Sequence, residues 1–143
     1  MFKKIDHTGI VVSDLERAKE FFLALGFTVV RGGPLRGQWI DDVLQLPGVD
    51  AEYLALSLPD TQTNLELLQF HSPAGEREST PNRSNLLGIR HIAFAVTDIE
   101  TIVADLKKKG ITFFSDIKVY AGQKKLCYFL GIDGIILELA EYL

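Results

Sequence analysis

The chain repeats itself, and that constrains its fold more than any other feature. Ile5-Asp6-His7-Thr8-Gly9-Ile10-Val11-Val12-Ser13-Asp14-Leu15-Glu16 returns as Ile89-Arg90-His91-Ile92-Ala93-Phe94-Ala95-Val96-Thr97-Asp98-Ile99-Glu100, a constant offset of 84. Gly26 and Gly110 keep that offset, whereas Leu65-Glu66-Leu67 and Leu137-Glu138-Leu139 stand 72 apart, so the second copy is twelve residues shorter in between. A chain of 143 residues has room for one domain or for two small halves, not for two ordinary independent domains. Self-similarity of this kind fixes the architecture ahead of any propensity.

Each copy reads the same way. A strand rich in β-branched residues opens it (about 5–12 and 89–96), followed by the capping boxes Ser13-x-x-Glu16 and Thr97-x-x-Glu100 at a helix start. Leu15, Ala18, Phe21, Phe22 and Leu25, and then Ile99, Ile102, Val103 and Leu106, recur at helical spacing. Gly26 and Gly110 suit a left-handed helix end, and Lys107 to Lys109 suit the negative pole of the helix dipole. Three strands follow in each copy, near 27–31, 52–58 and 64–70, then near 112–119, 124–130 and 135–141. The chain is thus α+β, two tandem βαβββ modules at about 1–72 and 88–143, joined by a linker at 73–87 that contains Pro73, Gly75 and Pro81. Residues 34–50 fall outside the unit and carry a short helix around Trp39-Ile40-Asp41-Asp42-Val43-Leu44. The linker length leaves open whether modules pair within a chain or between chains.

Composition narrows the class. Fifteen Lys plus Arg against nineteen Asp plus Glu give a net charge of −4, with no basic block for nucleic acid. No apolar stretch spans a bilayer, and the N-terminus carries no cleavable apolar segment. One cysteine, Cys127, allows neither an internal disulfide nor a thiolate metal cage. The expectation is a reduced, cytoplasmic protein with a small-molecule substrate and neither nucleic acid nor membrane as partner.

Strand parity then points to chemistry. Ile92, Phe94 and Val96 share one face of the opening strand, and His91, Ala93 and Ala95 the other; the first copy sorts Thr8, Ile10 and Val12 against His7, Gly9 and Val11. The bulky face suits a helix, and small residues beside a histidine suit a cavity. Glu66 and Glu138 sit in closing strands whose neighbours argue for burial, where a carboxylate must be paired, protonated or metal-bound. No lysine or arginine at equivalent repeat positions pairs with both. Two of the three histidines occupy equivalent positions, so two imidazoles and two carboxylates form a credible set for a divalent transition metal. His71, without a counterpart, reads as a loop residue. Arg90 reads as a surface charge, and one of Lys124 and Lys125 faces the cavity. Trp39 either closes over a ligand or plugs the surface.

The two βαβββ modules, the His-x6-Asp openings and the Leu-Glu-Leu closings resemble the vicinal oxygen chelate superfamily: glyoxalase I, methylmalonyl-CoA epimerase, extradiol dioxygenases, and fosfomycin and bleomycin resistance proteins. The resemblance spans nearly the whole chain. It implies paired modules that curl into a cup-shaped mixed sheet with helices outside, a metal at the bottom of the cup, and a homodimer. His7, Glu66, His91 and Glu138 fall on the family's four ligand positions, a set like that of bacterial-type glyoxalase I; methylmalonyl-CoA epimerases usually have glutamine at the place of Glu66. The implied cofactor is Ni, Co, Zn, Mn or Fe. The implied activity is that of a lyase, isomerase or epimerase that moves a proton alpha to a carbonyl through a metal-stabilised enediolate or enolate. Glu138 or Glu66 would be the base, Glu138 preferred because its strand lies next to the chain end. An extradiol-type dioxygenase and a small-molecule-binding resistance protein are the alternatives. Val11, Leu68, Phe70, Ala93, Ala95, Tyr128 and Ala140 would line the substrate chamber. The run after His7 lacks the arginine of glutathione-dependent glyoxalases, and Leu67-Leu68-Gln69-Phe70 follows Glu66, so the resemblance does not extend to glutathione.

Overall fold

The computed structural model describes residues 1–77 and 83–143. The stretch 78–82 of the expected linker, Pro81 included, lies outside the described residues. The chain divides into two compact units, Met1–Arg77 and Glu78–Leu143, and among the described residues no helix is long and apolar enough to cross a membrane.

The first unit runs β1 (His7–Val11), α1 (Leu15–Ala24), β2 (Thr28–Arg36), α2 (Gln38–Leu44), β3 (Asp50–Ser57) and β4 (Asn64–Ser72). Its sheet has the order β1-β4-β3-β2, with β1 parallel to β4 and the remaining pairs antiparallel. The helix-covered face holds Ile10, Leu56, Leu65 and Leu67, all buried together with Leu15, Ala18 and Phe22 of α1. Phe22 has no exposed surface and meets Phe21 and Phe27 edge-on, with ring centroids 5.2 and 5.4 Å away. α2 covers one end of the opposite face, where Ile40 packs with Val49, Ala51, Leu35 and Phe70. The Asp41 carboxylate fixes that segment by accepting hydrogen bonds from the Gly48 and Val49 amides.

The second unit runs β5 (His91–Ala95), α3 (Ile99–Lys108), β6 (Lys118–Tyr120), β7 (Lys124–Leu130), a 3-10 turn (Ile132–Gly134) and β8 (Ile136–Tyr142). Its sheet order, β5-β8-β7-β6, reproduces that of the first unit, with β5 parallel to β8. Two four-stranded mixed sheets with their helices confirm the α+β class and the doubled βαβββ topology. Gly131 to Gly134 serve as the hairpin connection between β7 and β8, as read from sequence.

Several local expectations change. The helix caps are Asp14 and Asp98, one residue beyond the expected Ser13 and Thr97; each carboxylate accepts from the amide three residues on, Arg17 or Thr101. A short anionic acceptor at the positive pole of the helix dipole serves both requirements with one side chain. The helix ends are as expected, with Gly26 at φ 96° and Gly110 at φ 82°. The strand expected over 112–119 shrinks to Lys118–Tyr120. Thr112 and Phe114 still exchange backbone hydrogen bonds with β7, but Ser115 and Asp116 then break the ladder with a local Ser115 Oγ to Asp116 carbonyl bond. His71 belongs to the end of β4 rather than to a loop, 3.0 Å from Glu52.

Candidate functional site

Register decides which side chains meet. In the first unit β1 and β4 run in parallel with His7 opposite Asn64, Gly9 opposite Glu66 and Val11 opposite Leu68. His7, Gly9, Val11, Glu66, Leu68 and Phe70 therefore share the face turned away from α1. In the second unit His91 stands opposite Ile136, Ala93 opposite Glu138 and Ala95 opposite Ala140, while Tyr128 on β7 stands opposite Glu138. His91, Ala93, Ala95, Tyr128, Glu138 and Ala140 share the corresponding face. Each residue expected at the site thus lies, within its own unit, on one common face.

The geometry repeats. His7 Nε2 is 3.5 Å from Glu66 Oε2, and His91 Nε2 is 3.2 Å from Glu138 Oε2. Asp6 Oδ2 lies 3.1 Å from His7 Nδ1, so the carboxylate can accept a hydrogen bond from Nδ1–H, which leaves Nε2 as the ring nitrogen with a free lone pair. That hydrogen bond, with the charge of Lys4, holds Asp6 below the usual carboxylate range. Beside His91 the Tyr128 hydroxyl is 3.4 Å from Nε2, with the two rings 4.9 Å apart. Burial, reinforced by the charge of Glu138, pushes the Tyr128 phenol up, so it stays protonated. The glutamates differ in depth: the Glu66 side chain is 16% exposed and that of Glu138 only 6%. β4 and β8 are each paired on both edges, so the two glutamates differ in exposure and not in how their strands are held.

Sequence reasoning places one of Lys124 and Lys125 on this face, as the structure does with Lys124, but it pairs neither glutamate with a cation and misses Arg31. Arg31 reaches Glu66 Oε1 at 3.1 Å, and Lys124 reaches Glu138 Oε1 at 3.1 Å. The two cations come from non-equivalent strands, β2 and β7, which is why a search at equivalent repeat positions finds neither. Yet the outcome is the same in both units: one carboxylate oxygen holds a cation, the other faces an imidazole nitrogen. The hydrogen bond to Glu138 keeps the Lys124 ammonium above its ordinary range. Lys125 points to the other face and binds Glu100 at 2.7 Å and Glu141 at 3.3 Å. Arg90 is half-buried and donates from Nε to the Ile89 carbonyl at 2.9 Å. Trp39 is exposed on α2, at the end of the Glu66 face that α2 covers.

The His91–Glu138 pair, at 3.2 Å, fits a metal ion by spacing, and the His7–Glu66 pair, at 3.5 Å, lies just outside that spacing. Two donors bound about 2.1 Å from one ion, at angles between square and tetrahedral, lie about 3.0–3.4 Å apart. Among the described residues no group of three or more His, Cys, Asp or Glu side chains is gathered to hold an ion on its own; each unit supplies two donors. Cys127 offers no fifth candidate, because burial pushes its thiol up to about 11.

The doubled topology and the paired donors define a glyoxalase-like class of protein, and comparison with known proteins bears this out. The model of the glyoxalase/bleomycin resistance protein/dioxygenase superfamily matches residues 6–128, which include His7, Glu66 and His91. This chain belongs to that superfamily. The protein YaeR of Escherichia coli is 30% identical over 142 residues, 97% of this chain and 96% of its own length. The mitochondrial methylmalonyl-CoA epimerase of Mus musculus is 27% identical over 143 residues, covering 96% of this chain and 72% of the epimerase. A glyoxalase family protein from Bacillus cereus superposes with a TM-score of 0.93 at 29% identity, over 100% of this chain and 96% of that one.

Proposed function

We propose that this protein is a divalent-metal-dependent enzyme of the isomerase or lyase type, which moves a proton alpha to a substrate carbonyl. The observation that carries this reading is the repeated pair, imidazole Nε2 beside glutamate Oε2 at 3.5 and 3.2 Å. Superfamily membership and the epimerase relative support it. His7, Glu66, His91 and Glu138 are the proposed metal ligands, two from each module.

Bound there, a divalent ion supplies Lewis-acid polarisation of neighbouring substrate oxygens. The remaining tasks belong to this chain. Asp6 keeps the His7 tautomer fixed. Tyr128, protonated and next to His91, offers a donor to a substrate oxygen. Val11, Leu68 and Phe70 in the first unit, and Ala93, Ala95 and Ala140 in the second, give each face a mostly apolar surface beside its His–Glu pair. The carboxylates handle the proton, Glu66 being the more accessible and Glu138 the more fixed.

The second reading, a small-molecule-binding protein without metal, draws on Arg31 and Lys124. Buried glutamates alone argue against a metal-free site, but here each carboxylate already has a cation. Metal analysis and cobalt titration of the purified protein separate the two. The enzyme reading expects one ion per four-donor set, exchange of a substrate's alpha proton with deuterated solvent, and loss of the ion in His91→Ala with an unchanged circular dichroism spectrum. Protein that takes up no cobalt, nickel, zinc or manganese refutes it and favours the binder. Oxygen uptake with iron and a catechol would instead favour dioxygenase chemistry. We also propose a homodimer; a monomer by light scattering at micromolar concentration refutes that.

A further inference from the structure

The cations beside the two glutamates carry an inference about how those carboxylates are held, one that rests on the metal reading above. In the second unit Glu138 divides its two oxygens: Oε1 accepts from the Lys124 ammonium at 3.1 Å, and Oε2 faces His91 Nε2 at 3.2 Å. In the first unit Glu66 divides them the same way, Oε1 to Arg31 at 3.1 Å and Oε2 toward His7 Nε2 at 3.5 Å. A carboxylate has lone pairs for both tasks, so an ion between Nε2 and Oε2 does not require Oε1 to leave its cation. Lys124 is secured from a second side as well: its side chain is 26% exposed and its ammonium lies 5.9 Å from the centre of the Tyr142 ring.

Duplication does not account for this likeness. Tyr142, the partner of Lys124 in the register of β7 and β8, matches Phe70 at the offset of 72, and Phe70 pairs with Ala51. The first module thus has alanine where the second has Lys124, and it takes its cation from β2 instead. There a bulge between Val29 and Arg31 shifts the pairing so that Arg31, not Val30, stands opposite Ala55, which in turn stands opposite Glu66. Bulges commonly re-aim a side chain near a functional site. Gly32 follows at once, where an added Cβ would come within 2.7 Å of the Tyr53 carbonyl oxygen. The same contact reached from two unrelated positions points to a requirement of the site rather than to a relic of the repeat.

We propose that Lys124 and Arg31 are positioning residues: each holds the Oε1 of its glutamate, so that Glu138 and Glu66 each offer a metal ion one oxygen and not two. A carboxylate free to turn can bind a cation through both oxygens. The charged hydrogen bond opposes that turn, because Lys and Arg donate and never accept. Within each unit the imidazole and the carboxylate then take two positions on an ion instead of three, and a position is kept for a substrate oxygen.

The probes are cobalt(II) and acetohydroxamate, a small two-oxygen chelator. X-ray absorption of the cobalt-loaded protein counts the ligand atoms, and the visible cobalt bands weaken as coordination expands. Lys124→Met should add one oxygen to the cobalt shell and weaken those bands. It should also lower acetohydroxamate affinity about tenfold, the lower end of what the loss of a partner outside the ligand set costs. Lys124→Arg should restore all three. Arg31→Met and Arg31→Lys repeat the test at a half-exposed position and carry it if Lys124→Met does not fold. Unchanged cobalt spectra and acetohydroxamate affinity in both methionine variants overturn the proposal, and so do wild-type carboxylates already bound through both oxygens. Equal changes in Lys124→Met and Lys124→Arg overturn it too, because a retained charged donor would then make no difference. Wild-type protein that takes no cobalt refutes the metal reading itself, and this proposal with it.

Discussion

Replacing Glu138 by leucine separates a residue kept for chemistry from one kept for the fold. The Glu138 side chain is 6% exposed and lies between buried Leu137 and Leu139, with Ala140 beyond. In the metal-free protein its burial is opposed by the effective desolvation of an anion, several kcal/mol. It is offset by the Lys124 hydrogen bond at 3.1 Å, and a bond to a charged group contributes about 1.5–3 kcal/mol. Leucine removes both and adds its own burial, about 1.5–3 kcal/mol, while Lys124, on a flexible stem, can turn its ammonium to water. The balance predicts that Glu138→Leu is more stable than wild type by about 2 kcal/mol in chelator, within the range found when buried ion pairs are replaced by apolar groups. At this chain length that raises the melting temperature by about 4–8 °C. Added metal should reverse the order: wild type gains about 2.7 kcal/mol at a hundredfold excess over Kd, and the variant gains nothing. Urea and thermal melts with and without metal read both effects. A variant destabilised by more than about 1 kcal/mol in chelator would refute the reasoning and make Glu138 a structural strut.

Other expectations follow from the same coordinates. Phe22→Ala removes a ring with no exposed surface and should cost about 3–5 kcal/mol in a urea melt; a loss under 1 kcal/mol would mean that α1 does not anchor its sheet. Lys125 is raised above its ordinary 10.5 by its hydrogen bond to Glu100, and Glu100 is lowered below 4.5 by the same bond. The pair's contribution is therefore full between those two values; it fades as pH falls through the lowered Glu100 value and as pH rises through the raised Lys125 value. Lys125→Met should flatten the stability profile at both ends relative to wild type, and identical profiles would dismiss the pair. Cys127, 3% exposed with its thiol pushed up to about 11, should resist a disulfide-exchange reagent at pH 8 until the protein unfolds; rapid native labelling would contradict its burial.

How much of this was legible beforehand depends on which residues are considered. Leu15, Ala18 and Phe22, and Ile99, Val103 and Leu106, announce their helices by spacing, and the same residues are buried. Parity sorted His7 and His91 onto the open faces, and the parallel register of β1 with β4 and of β5 with β8 brought Glu66 and Glu138 beside them. The caps at Asp14 and Asp98 and the shortened β6 depart from expectation because Ser, Thr and Asp compete for the same local hydrogen bonds, and sequence does not rank them.

The repeat by itself determined the two βαβββ modules, the helix-covered and open faces, and the recurrence of one histidine and one glutamate in each module, because periodicity and duplication are properties of order along the chain. The cations that pair with those glutamates were decided only in three dimensions. Without the bulge after Val29, Arg31 would fall on the face that α1 covers; one extra residue in β2 turns it to Glu66 instead. A single-residue slip exchanges the two faces of a strand, and nothing in the local run Val29-Val30-Arg31 fixes where that slip occurs. Lys124 likewise meets Glu138 only because β7 and β8 pair in the register they do.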